Sequence, residues 1–250
     1  MTIKLLVSVR SVAEALLAAR GGADFIDLKE PGQGALGGLP PATIAAIVAA
    51  LRAAPGGPPI SATIGDVAMS ELAEIVRRVQ AVAACGVDYV KVGIEPVPAA
   101  AGVLEALAGC GHPVVPVFIA DRGIDGRLLQ QALGLGFPGL MADTADKRAG
   151  SLFDLLPEPA LRALVAQVRE CGAMVGLAGA LRLGHLPALR ALAPDFAGFR
   201  SAVCAGDRGG ALDPARLAAL VHGLRSATDQ GEEPRPSPIS QLRTAVTSSL

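Results

Sequence analysis

Gly21-Gly22-Ala23-Asp24-Phe25-Ile26-Asp27-Leu28-Lys29 is the stretch on which the architecture turns. Two glycines and an aspartate make a turn, and the five residues that follow read as a strand. Residues two apart on a strand share a side, so Asp27 and Lys29 point one way while Ile26 and Leu28 point the other. The same pattern returns in Cys85-Gly86-Val87-Asp88 ahead of Tyr89-Val90-Lys91-Val92-Gly93. It returns again, less regularly, in Gly134-Leu135-Gly136-Phe137-Pro138 ahead of Gly139–Asp143. Small residues, Gly, Ala or Val, Asp, then a strand: the chain repeats one αβ unit.

Outward from this stretch, the strand-like runs are Ile3–Val9, Phe25–Lys29, Pro59–Gly65, Tyr89–Gly93, Val114–Asp121, Gly139–Asp143, Met174–Gly179 and Phe196–Val203. Between them, apolar residues at three- and four-residue spacing predict helices over Ser11–Arg20, Ala42–Arg52, Ser70–Ala84, Ala99–Ala108, Arg127–Leu133, Pro159–Glu170, Leu186–Leu192 and Pro214–Leu224. Ser11, Ser70 and Asp213 stand where helix caps are expected, and Pro40-Pro41 and Pro214 stand at helix starts. Eight alternations in a chain of 250 residues fit an α/β protein of the (β/α)8 TIM-barrel type over residues 1–225. An open doubly wound sheet competes with that reading, but no G-x-G-x-x-G opens the first helix and no length remains for a second lobe. From about Ser226 the chain is polar and Pro/Ser-rich, so 226–250 reads as a flexible tail that is dispensable for chemistry.

Composition narrows the partners. The chain is 51% hydrophobic but only 3% aromatic, with no Trp, so its packing rests on Ala, Leu, Val and Ile in helix-on-sheet layers. A net charge of −1, without aromatics interleaved among basic residues, argues against nucleic acid as a partner. No apolar run of about 20 residues is free of Gly, Pro or charge, and Leu5–Val9 runs into a helix-start signal instead of a cleavage site. A cytoplasmic protein with no membrane partner is expected. Cys85, Cys110, Cys171 and Cys204 form no C-x-x-C pair and read as buried thiols without disulfides. His112, His185 and His222 lack ligand spacing, so no metal site is expected.

The lysines carry the chemical signal. Only Lys4, Lys29, Lys91 and Lys147 are found among 22 Lys+Arg, and the last three fall at or just past strand ends. In this fold the active site lies at the C-terminal ends of the strands. An amine can deprotonate and attack a carbonyl, whereas guanidinium stays charged. Asp27, Lys29, Lys91, Asp143 and Lys147 could therefore converge at one mouth, where neighbouring cations would help to make a neutral amine available. Each also has a plainer reading: Asp27–Lys29 as a salt bridge across the mouth, Lys147 as a solvated loop residue beside Asp146 and Arg148. The glycines of Gly176-Leu177-Ala178-Gly179-Ala180 and of the run from Gly198 to Gly210 fit a phosphate cradle after the last two strands, with Arg200 or Arg208 as charge partner, or simple tight turns. Ser61, Thr63, Asp66 and Asp121 could line the mouth, or could be satisfied turn and cap residues. The Gly-rich segment from Glu30 to Gly37 could fold over a substrate or be only a long turn.

Taken in order, Asp27-Leu28-Lys29-Glu30-Pro31, Gly34-Ala35-Leu36-Gly37, Ser61-Ala62-Thr63-Ile64-Gly65-Asp66, Tyr89-Val90-Lys91-Val92-Gly93, Asp143-Thr144-Ala145-x-Lys147, Leu152-Phe153-Asp154, Leu177-Ala178-Gly179 and Arg200-Ser201-Ala202-Val203-Cys204 resemble the (5-formylfuran-3-yl)methyl phosphate synthase family over roughly residues 3–225. The resemblance implies a barrel that condenses two glyceraldehyde 3-phosphate molecules into a furan aldehyde phosphate in methanofuran biosynthesis. It implies Lys29 as the Schiff-base lysine, with Asp27, Lys91, Asp143 and Lys147 as companions, and Ser61, Gly179, Arg200 and Ser201 are expected at the substrate or its phosphate. Loss of one phosphate and two waters balances the atoms, and no redox cofactor is needed. A homo-oligomer is expected from the size class alone. A different Schiff-base aldolase, a triose-phosphate isomerase, or a barrel that binds a phosphorylated metabolite without turnover are the alternatives.

Overall fold

Alternation along each strand sorts side chains into two environments, and the fold follows from filling both. In the computed structural model, which describes residues 2–34, 36–146 and 149–226, eight strands pair in parallel and close on themselves in sequence order. They are β1 (Lys4–Val9), β2 (Phe25–Leu28), β3 (Ile60–Thr63), β4 (Tyr89–Ile94), β5 (Val114–Ile119), β6 (Gly139–Asp143), β7 (Met174–Leu177) and β8 (Phe196–Phe199). The helices are α1 (Val12–Arg20), α2 (Pro41–Arg52), α3 (Leu72–Ala83), α4 (Ala100–Ala108), α5 (Gly126–Gly134), α6 (Leu152–Leu155), α7 (Glu158–Glu170), α8 (Leu186–Leu192) and α9 (Pro214–Arg225). The (β/α)8 barrel is thus the architecture, and residues 227–250 of the expected tail lie outside the described residues.

Leu5, Val7, Ile26, Leu28, Val90, Val92, Leu140, Ala142, Val175, Leu177, Ala197 and Phe199 face outward into one continuous core with the helices. The alternate residues fill the inside. There Leu6, Phe25, Val115, Val117, Met141, Ala178 and Phe196 form a separate apolar cluster, with Tyr89 and Met174 packed against it. The Phe25 and Phe196 rings pack against each other at a tilt of 46°, 5.5 Å between centroids. Gly176 makes that possible, since a Cβ there would stand 2.1 Å from the Phe196 ring. With one end of the barrel packed by apolar groups, the polar inward residues further along the strands are left to form the mouth.

Helix caps follow local chemistry. Ser11 accepts from the Glu14 N–H, and Asp213 accepts from Ala215 and Arg216 with Pro214 inside the helix start. Ser70 does not cap α3: the cap position is Glu71, without a side-chain bond. β5, β7 and β8 also end earlier than their predicted runs, whereas β6 has the expected bounds. Ala120–Arg122 and Ser201–Val203 are 3-10 turns, and Val203 is apolar because it packs under the helices as a loop residue. All four cysteines are free, but only Cys204 is buried; Cys171, at the end of α7, is exposed. No helix among the described residues is long and apolar enough to cross a membrane.

Candidate active site

The β2–β3–β4 register puts Asp27 beside Ser61 and Ser61 beside Tyr89, so Lys91, opposite Thr63, lies two residues further towards the mouth. Lys29 extends β2 by one residue, its N–H bonded to the Val9 carbonyl. Asp27, Lys29, Lys91 and Asp143 are all buried and all line one pocket at this end of the barrel.

The charges pair across strands and not along one. Lys91 Nζ lies 2.8 Å from Asp27 Oδ1, and Lys29 Nζ lies 3.6 Å from Asp143 Oδ2. The plainer reading of Asp27–Lys29 as a bridge along β2 therefore gives way to a pair that skips β3, Lys91–Asp27, and a pair between β2 and β6, Lys29–Asp143. Asp27 also accepts hydrogen bonds from Ser61 Oγ at 2.7 Å and Ser8 Oγ at 3.1 Å. Burial alone would raise the Asp27 carboxyl, but the charges of Lys91 and Lys29 and the Ser61 hydroxyl outweigh it and hold it below its ordinary value. Burial pushes Lys91 down; Asp27 opposes that and Lys29 adds to it. Lys91 Nζ is in ion-pair contact with Asp27 but has no aligned hydrogen-bond acceptor among the described residues.

Other expected residues have different roles. Ser61 is spent on Asp27 and is not part of the pocket wall, whereas Gly179 and Ser201 are. Arg200 lines the pocket but turns its guanidinium into the protein: Nε donates to the Arg208 carbonyl, Nη1 to Ser8 O and Glu14 Oε2, and Nη2 to Glu14 Oε1 and Gly210 O. All five of its donors are used. Thr63 donates to the Gly37 carbonyl, and Asp66 accepts from Leu36 N–H; both anchor the β2–α2 loop and neither caps a helix. That loop is folded down, with Leu36 buried in the apolar interior and forming part of the pocket wall. Asp121 accepts from the amides of Ala145 and Asp146, its expected turn role. Lys147 lies outside the described residues.

Sequence reasoning missed Ser8, Glu14 and Leu36. Glu14 was legible only as the fourth residue of a Ser-x-x-Glu helix start, and it does bind the Arg10 N–H as well as Arg200. The loops after β7 and β8 are less regular. Gly179 holds φ +108°, and its carbonyl accepts from Leu152 N–H at the start of α6. The amides of Ala180, Leu181 and Ser201, all in pocket-lining residues, donate to no acceptor among the described residues. Such unspent amides suit an anion. No group of three or more His, Cys, Asp or Glu that could hold a metal occurs among the described residues.

Comparison with known proteins adds the following. Residues 5–221 match the family model for 4-HFC-P synthase. A Methylorubrum extorquens protein assigned provisionally as a (5-formylfuran-3-yl)methyl phosphate synthase is 43% identical over 89% of this chain and 92% of its own length. The (5-formylfuran-3-yl)methyl phosphate synthase of Archaeoglobus fulgidus is 36% identical over 88% of this chain and all of its own. Among solved structures, phosphoribosyl anthranilate isomerase from Thermus thermophilus superposes with a TM-score of 0.62 at 20% identity, over 90% of this chain and all of that one. This last likeness concerns the fold alone.

Proposed function

The chain belongs to the 4-HFC-P synthase family, and from that premise we propose that it condenses two molecules of glyceraldehyde 3-phosphate into (5-formylfuran-3-yl)methyl phosphate, a step of methanofuran biosynthesis, through an imine on Lys29. The observation that carries this reading is the buried tetrad of Asp27, Lys29, Lys91 and Asp143 in one pocket. Two amines and two carboxylates kept out of water are costly as structure alone. They are what an imine mechanism with repeated proton transfers requires.

In this mechanism Lys29 gives its proton to Asp143, which faces it at 3.6 Å, and its lone pair attacks the aldehyde carbon of the first triose phosphate. Water leaves and the imine forms. A carboxylate, Asp27 or Asp143, then takes a proton from the carbon adjacent to the imine carbon, and the resulting enamine attacks the second aldehyde through that adjacent carbon. Lys91, buried beside Asp27, serves as acid and base to the developing alkoxide and the leaving water; Lys147 is assigned as a further companion by family resemblance. Elimination of one phosphate, cyclisation with loss of two waters, and hydrolysis of the imine, which takes back the water lost when it formed, complete the furan and free Lys29. The unspent amides after β7 and β8 support a phosphorylated substrate.

Incubation with glyceraldehyde 3-phosphate alone tests the reading. A furan chromophore should appear together with released phosphate, in wild type and in Lys4→Arg, whose site at the start of β1 is remote from the mouth. Lys29→Arg should abolish both signals, because it keeps the charge and loses the nucleophile. Release of neither product by wild type would sink the proposal.

A further inference from the structure

Four cations line the pocket: Lys29, Lys91, Arg200 and Arg208. Three of them are matched one to one by carboxylates, Lys29 by Asp143, Lys91 by Asp27 and Arg200 by Glu14. Arg208 has no ion-pair partner among the described residues. It is half-buried, and its one hydrogen bond there runs from Nη2 to the Gly34 carbonyl, 3.1 Å away in the β2–α2 loop. A guanidinium carries five donors in a fixed fork, so most of this one is uncommitted. Arg208 is thus the pocket cation with no carboxylate in direct ion-pair contact among the described residues; Asp143, Asp66 and Glu30 act on it through space.

Arg208 is also held there. It sits in a tight turn in which Gly209 N–H and Gly210 N–H donate to the side chain and carbonyl of Asp207. Ala205 N–H donates to the Ala211 carbonyl, and Cys204 bridges Leu212, closing the base of the turn. Arg200 then grips the turn from below through the carbonyls of Arg208 and Gly210, while its other edge is fixed on Glu14. A loop braced at so many points to project one unpaired cation into a pocket is built for an anion. Ala180, Leu181 and Ser201, whose amides donate to no acceptor among the described residues, belong to the lining of the same pocket.

We propose that Arg208 is the side chain that recognises the phosphate of the substrate, clamping a phosphate monoester against the amides of the loops after β7 and β8, while Arg200 and Glu14 act as positioning residues for it. The inference rests on the reading of this pocket as a site for a phosphorylated aldehyde and adds to it the residue that selects phosphorylated over free aldehydes. One fork edge stays on the Gly34 carbonyl and the other meets the phosphate oxygens, which also ties the β2–α2 loop to the occupied site.

The test uses inorganic phosphate, titrated calorimetrically into the full chain without turnover. Wild type and Arg20→Met, altered in the last turn of α1 at the opposite end of the barrel, should bind it alike. Arg208→Met should bind it about tenfold to a hundredfold more weakly, with Arg208→Lys in between because a point charge replaces the fork. Borohydride trapping supplies the second readout. Arg208→Met should lose trapping by glyceraldehyde 3-phosphate at low concentration and keep wild-type trapping by unphosphorylated glyceraldehyde. Wild-type phosphate affinity in Arg208→Met, no phosphate binding by wild type, or equal loss of trapping with both aldehydes would each overturn the proposal. If Arg208→Met does not fold, Arg208→Lys decides: weakened phosphate binding supports it, unchanged binding refutes it. Because phosphate binding is read without catalysis, a failure to form furan counts against the proposed reaction and leaves this measurement standing.

Discussion

Asp27 is the residue on which the site's electrostatics depend, since it is the carboxylate beside Lys91 and the acceptor for Ser61 and Ser8. Asp27→Asn leaves a buried ammonium without its counter-charge, which costs on the order of 3–5 kcal/mol. The sign of its pH dependence follows from the lowered carboxyl. The unfolded chain binds this proton more tightly than the folded one, so the contribution is full above the ordinary value of 3.8 and is lost as pH falls through the folded value. Thermal melts of wild type and Asp27→Asn should therefore differ most near neutrality and converge in acid. A difference that stays constant down the pH scale would contradict the pairing. The candidate residues themselves were legible because a lysine or aspartate on an apolar strand is conspicuous. Their partners were not, because barrel closure decides which side chains meet: Lys29 faces Asp143 on β6 and not Asp27 two residues before it.

At the scale of elements, alternation made the strands readable and apolar spacing made most helices readable, with caps marking the starts of α1 and α9. Errors gathered where an apolar run outlasts its strand, as from Val114 and from Phe196, because a loop packed under helices needs the same residue types as a sheet. The four-residue helix α6 is too short to show a period; only its Ser151–Asp154 capping pair marks it. Arg200 was expected at a phosphate and instead braces a loop, a distinction that depends on Glu14 arriving from α1, 186 residues away in sequence. Packing inside the barrel makes its own prediction. Gly176→Ala drives a methyl into the Phe196 ring, and such overpacking costs about 1–3 kcal/mol. Its melting temperature should fall while the chemistry at the far end of the barrel persists; an unchanged melt would show that β7 and β8 are not packed this closely.

For the whole molecule, the division of labour runs along the barrel axis. The aromatic pair of Phe25 and Phe196 packs one end, the paired charges occupy the other, and the family match over residues 5–221 spans both. We propose that residues 1–225 form the catalytic unit, so a chain ending at Ser226 should turn over glyceraldehyde 3-phosphate at the rate of the full chain; a large loss would assign the last residues a part in catalysis. The central claim is the covalent one, that Lys29 alone among the lysines carries the substrate. Reduction with borohydride in the presence of glyceraldehyde 3-phosphate, followed by peptide mass mapping, tests it most directly: the account predicts one adduct, on Lys29, and an adduct on Lys91 or Lys147 in its place, or none, would contradict it.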